Sequence, residues 1–389
     1  MITPLCVKGK YNEALVYAKA LESVCEDKIR QYLDHPVFTG TTVRIMPDVH
    51  PGKGTVIGWT ATYGDKIIPS VIGLDIGCGV CACNLGQGKL AFDKLDKFIR
   101  KTIPSGQNVR AGLHGDFNEI NLFISEFKNN AGFSDGKNFP DSLTGLCGKL
   151  EKDPHRIFNS FGTLGGGNHF IEIDNDENHN RWLLVHTGSR ILGAYTAGFH
   201  EAIALQETDA ENKIKYLTGN YMSGYLEDLR IVQHYAAVNR ALVTQTISKD
   251  FFGIDIRETE YLDCAHNFID ATKNIIRKGA ISAEKDEPVV IPFSMAEGAV
   301  LGKGNGNAAW NFSAPHGSGR KKTRTDARAL SLDEYRKEMR GIWSSVIRKD
   351  TLEESPMVYK KARDILEFID DTVTTEHRLK PLYNYKAVE

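Results

Sequence analysis

Asp75 and Cys78 stand three residues apart in the run Val71-Ile-Gly-Leu-Asp-Ile-Gly-Cys-Gly-Val-Cys81, among Gly73, Gly77 and Gly79. The glycines remove Cβ bulk and allow backbone angles that other residues avoid, so the loop can bring a carboxylate and a thiolate to one point. A hard oxygen beside a soft sulfur suits a borderline divalent cation such as Zn²⁺ or Mn²⁺ better than Ca²⁺ or Mg²⁺. Two ligands do not hold a metal, so histidines in comparable settings are needed. His169 follows three glycines and Asn168, His186 ends the apolar run Trp182-Leu-Leu-Val185, and His266 sits in Cys264-Ala-His-Asn267. Each has a structural alternative: a strand-entry turn for His169, a satisfied core histidine for His186 and His266. All five residues begin or end a strand beside small neighbours. Five such ligands fill two adjacent metal sites with open positions, an arrangement suited to phosphoryl transfer and hydrolysis.

A sixth position stands out. His316 lies in Ser313-Ala-Pro-His-Gly-Ser-Gly-Arg320, ahead of Lys321, Lys322 and Arg324, the densest basic run in the chain. An imidazole with nearby cations is equipped to act on phosphate as nucleophile or base; the alternative is a solvated basic turn. His50, in Pro47-Asp-Val-His-Pro51, has Asp48 to orient it or to act as a base, or the pair is turn chemistry only. His35, His114, His155, His179, His200, His234 and His377 read as structural or exposed.

The elements that carry these groups follow from periodicity. Helical spacing predicts helices over 12–34, Leu90–Ile103, 116–128, Ile191–Gln206, Tyr221–Ser248, Leu332–Met339 and Lys360–Val373. Strands are expected at Thr42–Met46, Thr55–Thr62, Lys66–Leu74, Val80–Leu85, Trp182–His186, Tyr261–Phe268, Ile275–Ala283 and Pro288–Phe293, with a strand also leaving the glycine loop through Phe170. Residues 105–152, rich in Gly, Asn and Asp, read as a peripheral excursion. With no internal repeat and no low-complexity linker, the pattern predicts one interwoven α+β domain over 1–389.

Composition bounds the function. The net charge of −2 leaves no bulk attraction for nucleic acid, so such a partner needs a local basic patch. Seven cysteines without framework spacing predict reduced thiols in a cytoplasmic protein. Lys8, Lys10 and Glu13 interrupt any leading apolar segment, so no signal peptide is expected.

At these residues the chain resembles the RtcB family of RNA ligases. The resemblance runs from Met46-Pro-Asp-Val-His50 through Asp75-Ile-Gly-Cys78, Gly167-Asn-His-Phe-Ile-Glu172, His186-Thr-Gly-Ser-Arg190, Ala265-His-Asn267 and Pro315-His-Gly-Ser-Gly-Arg320 to Tyr359 and Lys386. Six ordered motifs make it specific where one would not. It implies mixed β-sheets forming a central core flanked by helices, with a metal site at strand ends. It implies joining of RNA 3′-phosphate or 2′,3′-cyclic phosphate ends to 5′-hydroxyl ends in tRNA splicing or RNA repair, using GTP and two Mn²⁺ ions, with Zn²⁺ a further possibility for the isolated protein.

The family's pattern makes Asp75, Cys78, His169, His186 and His266 the metal ligands, with Cys78 bridging, and His316 the guanylylated residue, with Arg320 or a nearby lysine offsetting charge and Asp48 or His50 as base or positioner for the 5′-hydroxyl. Nucleotide contacts fall on Asn168, His169, Phe170, Ile171, Glu172, His266, Asn267, Pro292, Phe293, Ser294, Met295, Ala299, His316, Gly317, Ser318, Gly319, Tyr359 and Lys386. RNA phosphates fall to Lys53, Arg190, Lys322 and Arg324. The chain departs from the family at Ala299 in Ser294-Met-Ala-Glu-Gly-Ala299, where many members carry a serine; a lost hydroxyl donor is worth on the order of 1 kcal/mol. That departure leaves room for a metal-dependent phosphoesterase or cyclic-phosphate hydrolase without ligation. A non-catalytic RNA-binding partner is the third reading.

Overall fold

Strand Arg181–Thr187 is buried at every position. Covered on both faces, it has no polar side to present, which explains its unbroken apolar run. In the computed structural model, which describes residues 3–126, 138–208 and 214–387, it is the middle strand of a five-stranded antiparallel sheet. The order is Tyr261–Ala265, Gly79–Asn84, Arg181–Thr187, Phe170–Asn175, Lys380–Lys386. Side chains alternate between two cores. Cys81, Cys83, Ile171, Ile173, Leu183 and Val185 join the main core, on the side where the sheet meets helix Gly219–Phe252. Val80, Ala82, Phe170, Trp182 and Leu184 face a second core. That core is shared with a sheet of Pro288–Pro292, Ala299–Gly304 and Val373–Arg378. Each large aliphatic or aromatic side chain buried this way contributes about 1.5–3 kcal/mol.

A six-stranded sheet runs Leu5–Lys8, Glu13–Val16, Val43–His50, Ile57–Thr62, Ile275–Lys278, Asn267–Asp270. It meets the five-stranded sheet at a single residue. His266 separates Tyr261–Ala265, in one sheet, from Asn267–Asp270, in the other. Gly279, at φ +62°, likewise separates Ile275–Lys278 from Ala280–Ser282, which pairs with Ser313–Pro315. The strands expected over Tyr261–Phe268 and Ile275–Ala283 are therefore each two strands that change sheet.

Other expectations are corrected. The helix expected over 12–34 is strand Glu13–Val16 followed by helix Ser23–Leu33; Ala14 and Val16 are buried at a spacing of two, a strand period hidden within a helical one. The strand expected over Lys66–Leu74 stops at Ile67, and Pro69 opens the short helix Pro69–Ile72, since proline cannot donate to a ladder and suits a first helical turn. The strand at Thr42 continues to His50 with its register broken between Ile45 and His50. The helix expected over Lys360–Val373 is Ala362–Ile369.

Strands Ala299–Gly304, Val373–Arg378 and Lys380–Lys386 were not expected. Residues 105–152, expected at the periphery, put Phe117, Ile120, Phe139 and Leu143 into the main core; helices Phe117–Ser125 and Phe139–Lys149 pack on the long helix. The expected helix end at 127–128 lies outside the described residues. Among the described residues no helix is long and apolar enough to cross a membrane.

Candidate functional site

Strand register gathers the histidines. His186 pairs with Val80 on one side and Phe170 on the other. Cys264 also pairs with Val80, and Ala265 with Gly79. Cys78, His169 and His266 each sit one residue off the end of a neighbouring strand, so all three reach the same edge as His186. The His266 N–H donates to the Cys78 carbonyl at 2.8 Å.

Cys78 Sγ lies 3.2 Å from His186 Nε2 and 3.5 Å from His169 Nε2. Donor atoms of Cys78, His186 and His266 all fall within 4.8 Å of one another. The other ring nitrogens are engaged: His169 Nδ1 donates to Leu164 O at 2.8 Å, and His186 Nδ1 to Asn168 O at 3.2 Å. A carbonyl only accepts, so the tautomer with a bare Nε2 is fixed, the orientation that metal-binding histidines show. Bond lengths of about 2.0–2.3 Å from one ion give ligand–ligand edges of roughly 3.5 Å. The residues present therefore fit a divalent cation. Asp75 lines the adjoining polar cleft with Cys78, His169, Arg190 and Arg324.

Burial makes this a neutral imidazole cluster. It pushes His169 down to about 3, with Arg190 adding to the effect. Burial and then neighbouring histidines hold His186 and His266 far below their ordinary range. The Cys78 thiol is pushed up to about 12 by burial and by Asp75.

Next to this cluster lies an open cavity with about 760 Å³ of empty space, counting its mouth. The His316 ring is centred 5.0 Å from that of His266. His316 Nδ1 donates to Asp48 Oδ2 at 2.5 Å, and its backbone N–H donates to the same oxygen at 3.1 Å. Gly319, at φ +68°, lets the chain pass the Asp48 carbonyl where a Cβ would sit 2.0 Å from that oxygen. His50 donates from Nδ1 to Asp48 O at 2.9 Å, and burial holds it at about 4.

Most sequence-derived positions line this cavity: His50, Asn168, Phe170, Glu172, His186, His266, Pro292, Phe293, Ser294, Met295, His316, Gly317, Ser318, Gly319, Arg320, Arg324, Tyr359 and Lys386. Others stand elsewhere. Ile171 points to the main core, opposite Phe170 and Glu172. Ala299 packs in the second core, and Gly298 takes the wall position. Asn267 accepts the Gly279 N–H through Oδ1 at 2.9 Å. Arg190 donates to Gly106 O and Thr163 Oγ1. Lys322 and Lys53 are exposed, and the Lys53 carbonyl accepts Lys278 Nζ at 2.5 Å.

Sequence reasoning missed three groups. Glu354 lines the cavity, accepts the Tyr359 hydroxyl at 2.5 Å and meets Arg320 at 3.3 Å and Lys386 at 3.9 Å. Asn384 donates to Glu172. Lys278 is lowered to about 8 by burial, with Asp75 opposing. Each lies outside the glycine-flanked motifs, so spacing gave no signal.

Comparisons with known proteins agree on one family. A family model described as tRNA-splicing ligase RtcB matches residues 30–387. The RNA-splicing ligase RtcB of Escherichia coli (strain K12) is 28% identical over 379 residues, covering 89% of this chain and 90% of that protein. The tRNA-splicing ligase RtcB of Nanoarchaeum equitans is 27% identical, covering 96% and 93%. That of Thermococcus kodakarensis is 25% identical, covering 84% and 83%.

Proposed function

The chain belongs to the RtcB family, and on that premise we propose that it is a GTP- and Mn²⁺-dependent RNA ligase. It joins 3′-phosphate or 2′,3′-cyclic phosphate ends to 5′-hydroxyl ends through a guanylate carried on His316, in tRNA splicing or RNA repair. The observation that carries this reading is the His316–Asp48 pair, 2.5 Å apart, whose His316 lines the cavity beside His186 and His266.

Asp48 holds the proton on Nδ1, which leaves the Nε2 lone pair of His316 for attack. His316 attacks the α-phosphorus of GTP; a P–N bond forms and pyrophosphate leaves. The imidazole becomes positive in that step, and the buried Asp48 carboxylate offsets the charge. Passage of the guanylate to the RNA 3′-phosphate creates a leaving group, and attack by the 5′-hydroxyl expels GMP. Cys78, His169, His186, His266 and Asp75 would hold the cations. These would supply Lewis-acid polarisation of phosphoryl oxygens and an activated water for opening a cyclic phosphate.

Glu172 can accept from the N1–H and 2-amino group of guanine, which adenine lacks, and Lys386 sits 4.6 Å from the Phe170 ring beside it. Arg190 and Arg324, at the polar cleft, would meet RNA phosphates without reading sequence. All seven cysteines are unpaired, which supports a reducing cytoplasmic setting.

Incubation with Mn²⁺ and GTP labelled in its α-phosphate tests the proposal. The wild-type chain becomes labelled and His316→Ala does not. A metal-loaded protein that opens cyclic phosphates without taking up label would be a phosphoesterase instead.

A further inference from the structure

The four ligand-bearing segments on the strand edge converge on one turn of the long helix. Asn239 and Arg240 are its two hub residues, each at most 1% exposed. Asn239 donates from Nδ2 to Gly188 O at 3.0 Å, Thr163 O at 3.1 Å and Thr187 Oγ1 at 3.3 Å, and accepts from the Thr163 N–H at 3.1 Å. Thr187 Oγ1 donates onward to Leu164 O at 2.7 Å, the same carbonyl that orients His169. Arg240 donates from Nη1 to Gly77 O at 2.6 Å and Thr187 O at 3.2 Å. Its other nitrogens grip Asp263 at 2.5 and 2.8 Å.

These contacts are one step removed from the ligands. Gly77 precedes Cys78, Thr187 follows His186, Leu164 holds His169, and Asp263 lies three residues before His266. We propose that Asn239 and Arg240 are positioning residues that set the metal-ligand geometry, tying the Cys78, His169, His186 and His266 segments to a single helical turn. The inference rests on the metal-centre reading above. Asp263 neutralises Arg240 in a bidentate pair, so the hub acts through geometry and adds little net charge. The carbonyls it satisfies are buried, and unsatisfied they would seek other partners and carry the adjacent ligands with them.

Cobalt(II) titration of the metal-stripped full-length chain tests this, because a thiolate-to-cobalt charge-transfer band reports Cys78 directly. The band should be absent in Cys78→Ser. Asn239→Ala and Arg240→Lys should bind cobalt 10- to 100-fold more weakly, as outer contacts of metal ligands do, with a shifted band. Gln245→Ala serves as control: Gln245 lies about one and a half turns further along the same helix and is equally buried, but it contacts Asp255 and Ile256, not a ligand segment. It should lower the unfolding midpoint and leave the cobalt dissociation constant unchanged. Should Asn239→Ala not fold, Arg240→Lys, which keeps the charge, gives the same readout. A wild-type chain lacking any Cys78-dependent band overturns the metal reading and the hub together. A normal wild-type band that folded hub variants reproduce with the same dissociation constant overturns the hub alone.

Discussion

Asp48 Oδ2 accepts both the Nδ1–H and the backbone N–H of His316, so one carboxylate oxygen fixes ring and main chain together. Asp48 is fully buried, and a buried carboxylate so placed selects one tautomer. Asp48→Asn should therefore slow formation of the His316 adduct by up to about 10⁴-fold, since an amide can present its N–H and stabilise the wrong tautomer. Cobalt or manganese binding should be unchanged, because the histidines hydrogen-bonded to Asp48 are His316 and His50, neither a proposed metal ligand. Single-turnover guanylylation beside a metal titration checks both parts; equal rates for variant and wild type would remove Asp48 from the mechanism.

Glu172 stands on the cavity face of its strand, with Asn384 donating to it from the neighbouring strand. Burial raises its pKa, while Asn384 and Lys386 oppose that rise. Glu172→Gln should weaken GTP binding by about 1.5–3 kcal/mol, roughly a 10- to 150-fold rise in KM. Inosine triphosphate, which lacks the 2-amino group, should lose less. Competition between GTP, ITP and ATP for adduct formation measures this; an unchanged order of preference places the base elsewhere.

The site was more legible than the frame around it. Cys78, His169 and His186 announce themselves because glycines flank the turns that aim them, and His266 because small Ala265 precedes it; their convergence follows from strand register, which alternation already encodes. Lys386 is different: it rides on the Lys380–Lys386 strand, whose run Lys-Pro-Leu-Tyr-Asn-Tyr-Lys carries little apolar alternation. Asn239 and Arg240 are buried polar residues in a helix whose spacing reads as ordinary core, so nothing local marks them. Glu354 ends the short 3₁₀ helix Lys349–Glu354, and only the fold brings it to Tyr359 and Arg320. What spacing cannot encode is which distant polar group will close a buried hydrogen bond.

Chelation should separate folding from chemistry. The strands that carry the proposed ligands are held by the two cores on either face of their sheet, so the fold has support independent of any cation. Metal-stripped protein should keep its far-UV circular dichroism and lose adduct formation, and Mn²⁺ should restore it. Cys78→Ser should not be restored at matched Mn²⁺. Unfolding on chelation would show instead that the metal centre is part of the folding core.

His234 gives the stability a defined acid limb. It is 1% exposed, its ring lies 4.4 Å from that of Phe139, and Nε2 meets Asn121 Oδ1 at 2.8 Å. Burial, with Arg230 adding to it, lowers its pKa from 6.5 to about 3. The folded state thus favours the neutral ring. Its contribution is complete above pH 6.5 and is lost as pH falls toward about 3, because the unfolded chain takes up the proton first. The slope is roughly 1.4 kcal/mol per pH unit for one such group. His234→Gln, which keeps a donor for Asn121 but cannot titrate, should be less stable at pH 7 and lose less stability on acidification. Urea unfolding at intervals between pH 7 and pH 4 reads the difference in slope; parallel curves for variant and wild type would mean that His234 does not carry the acid sensitivity.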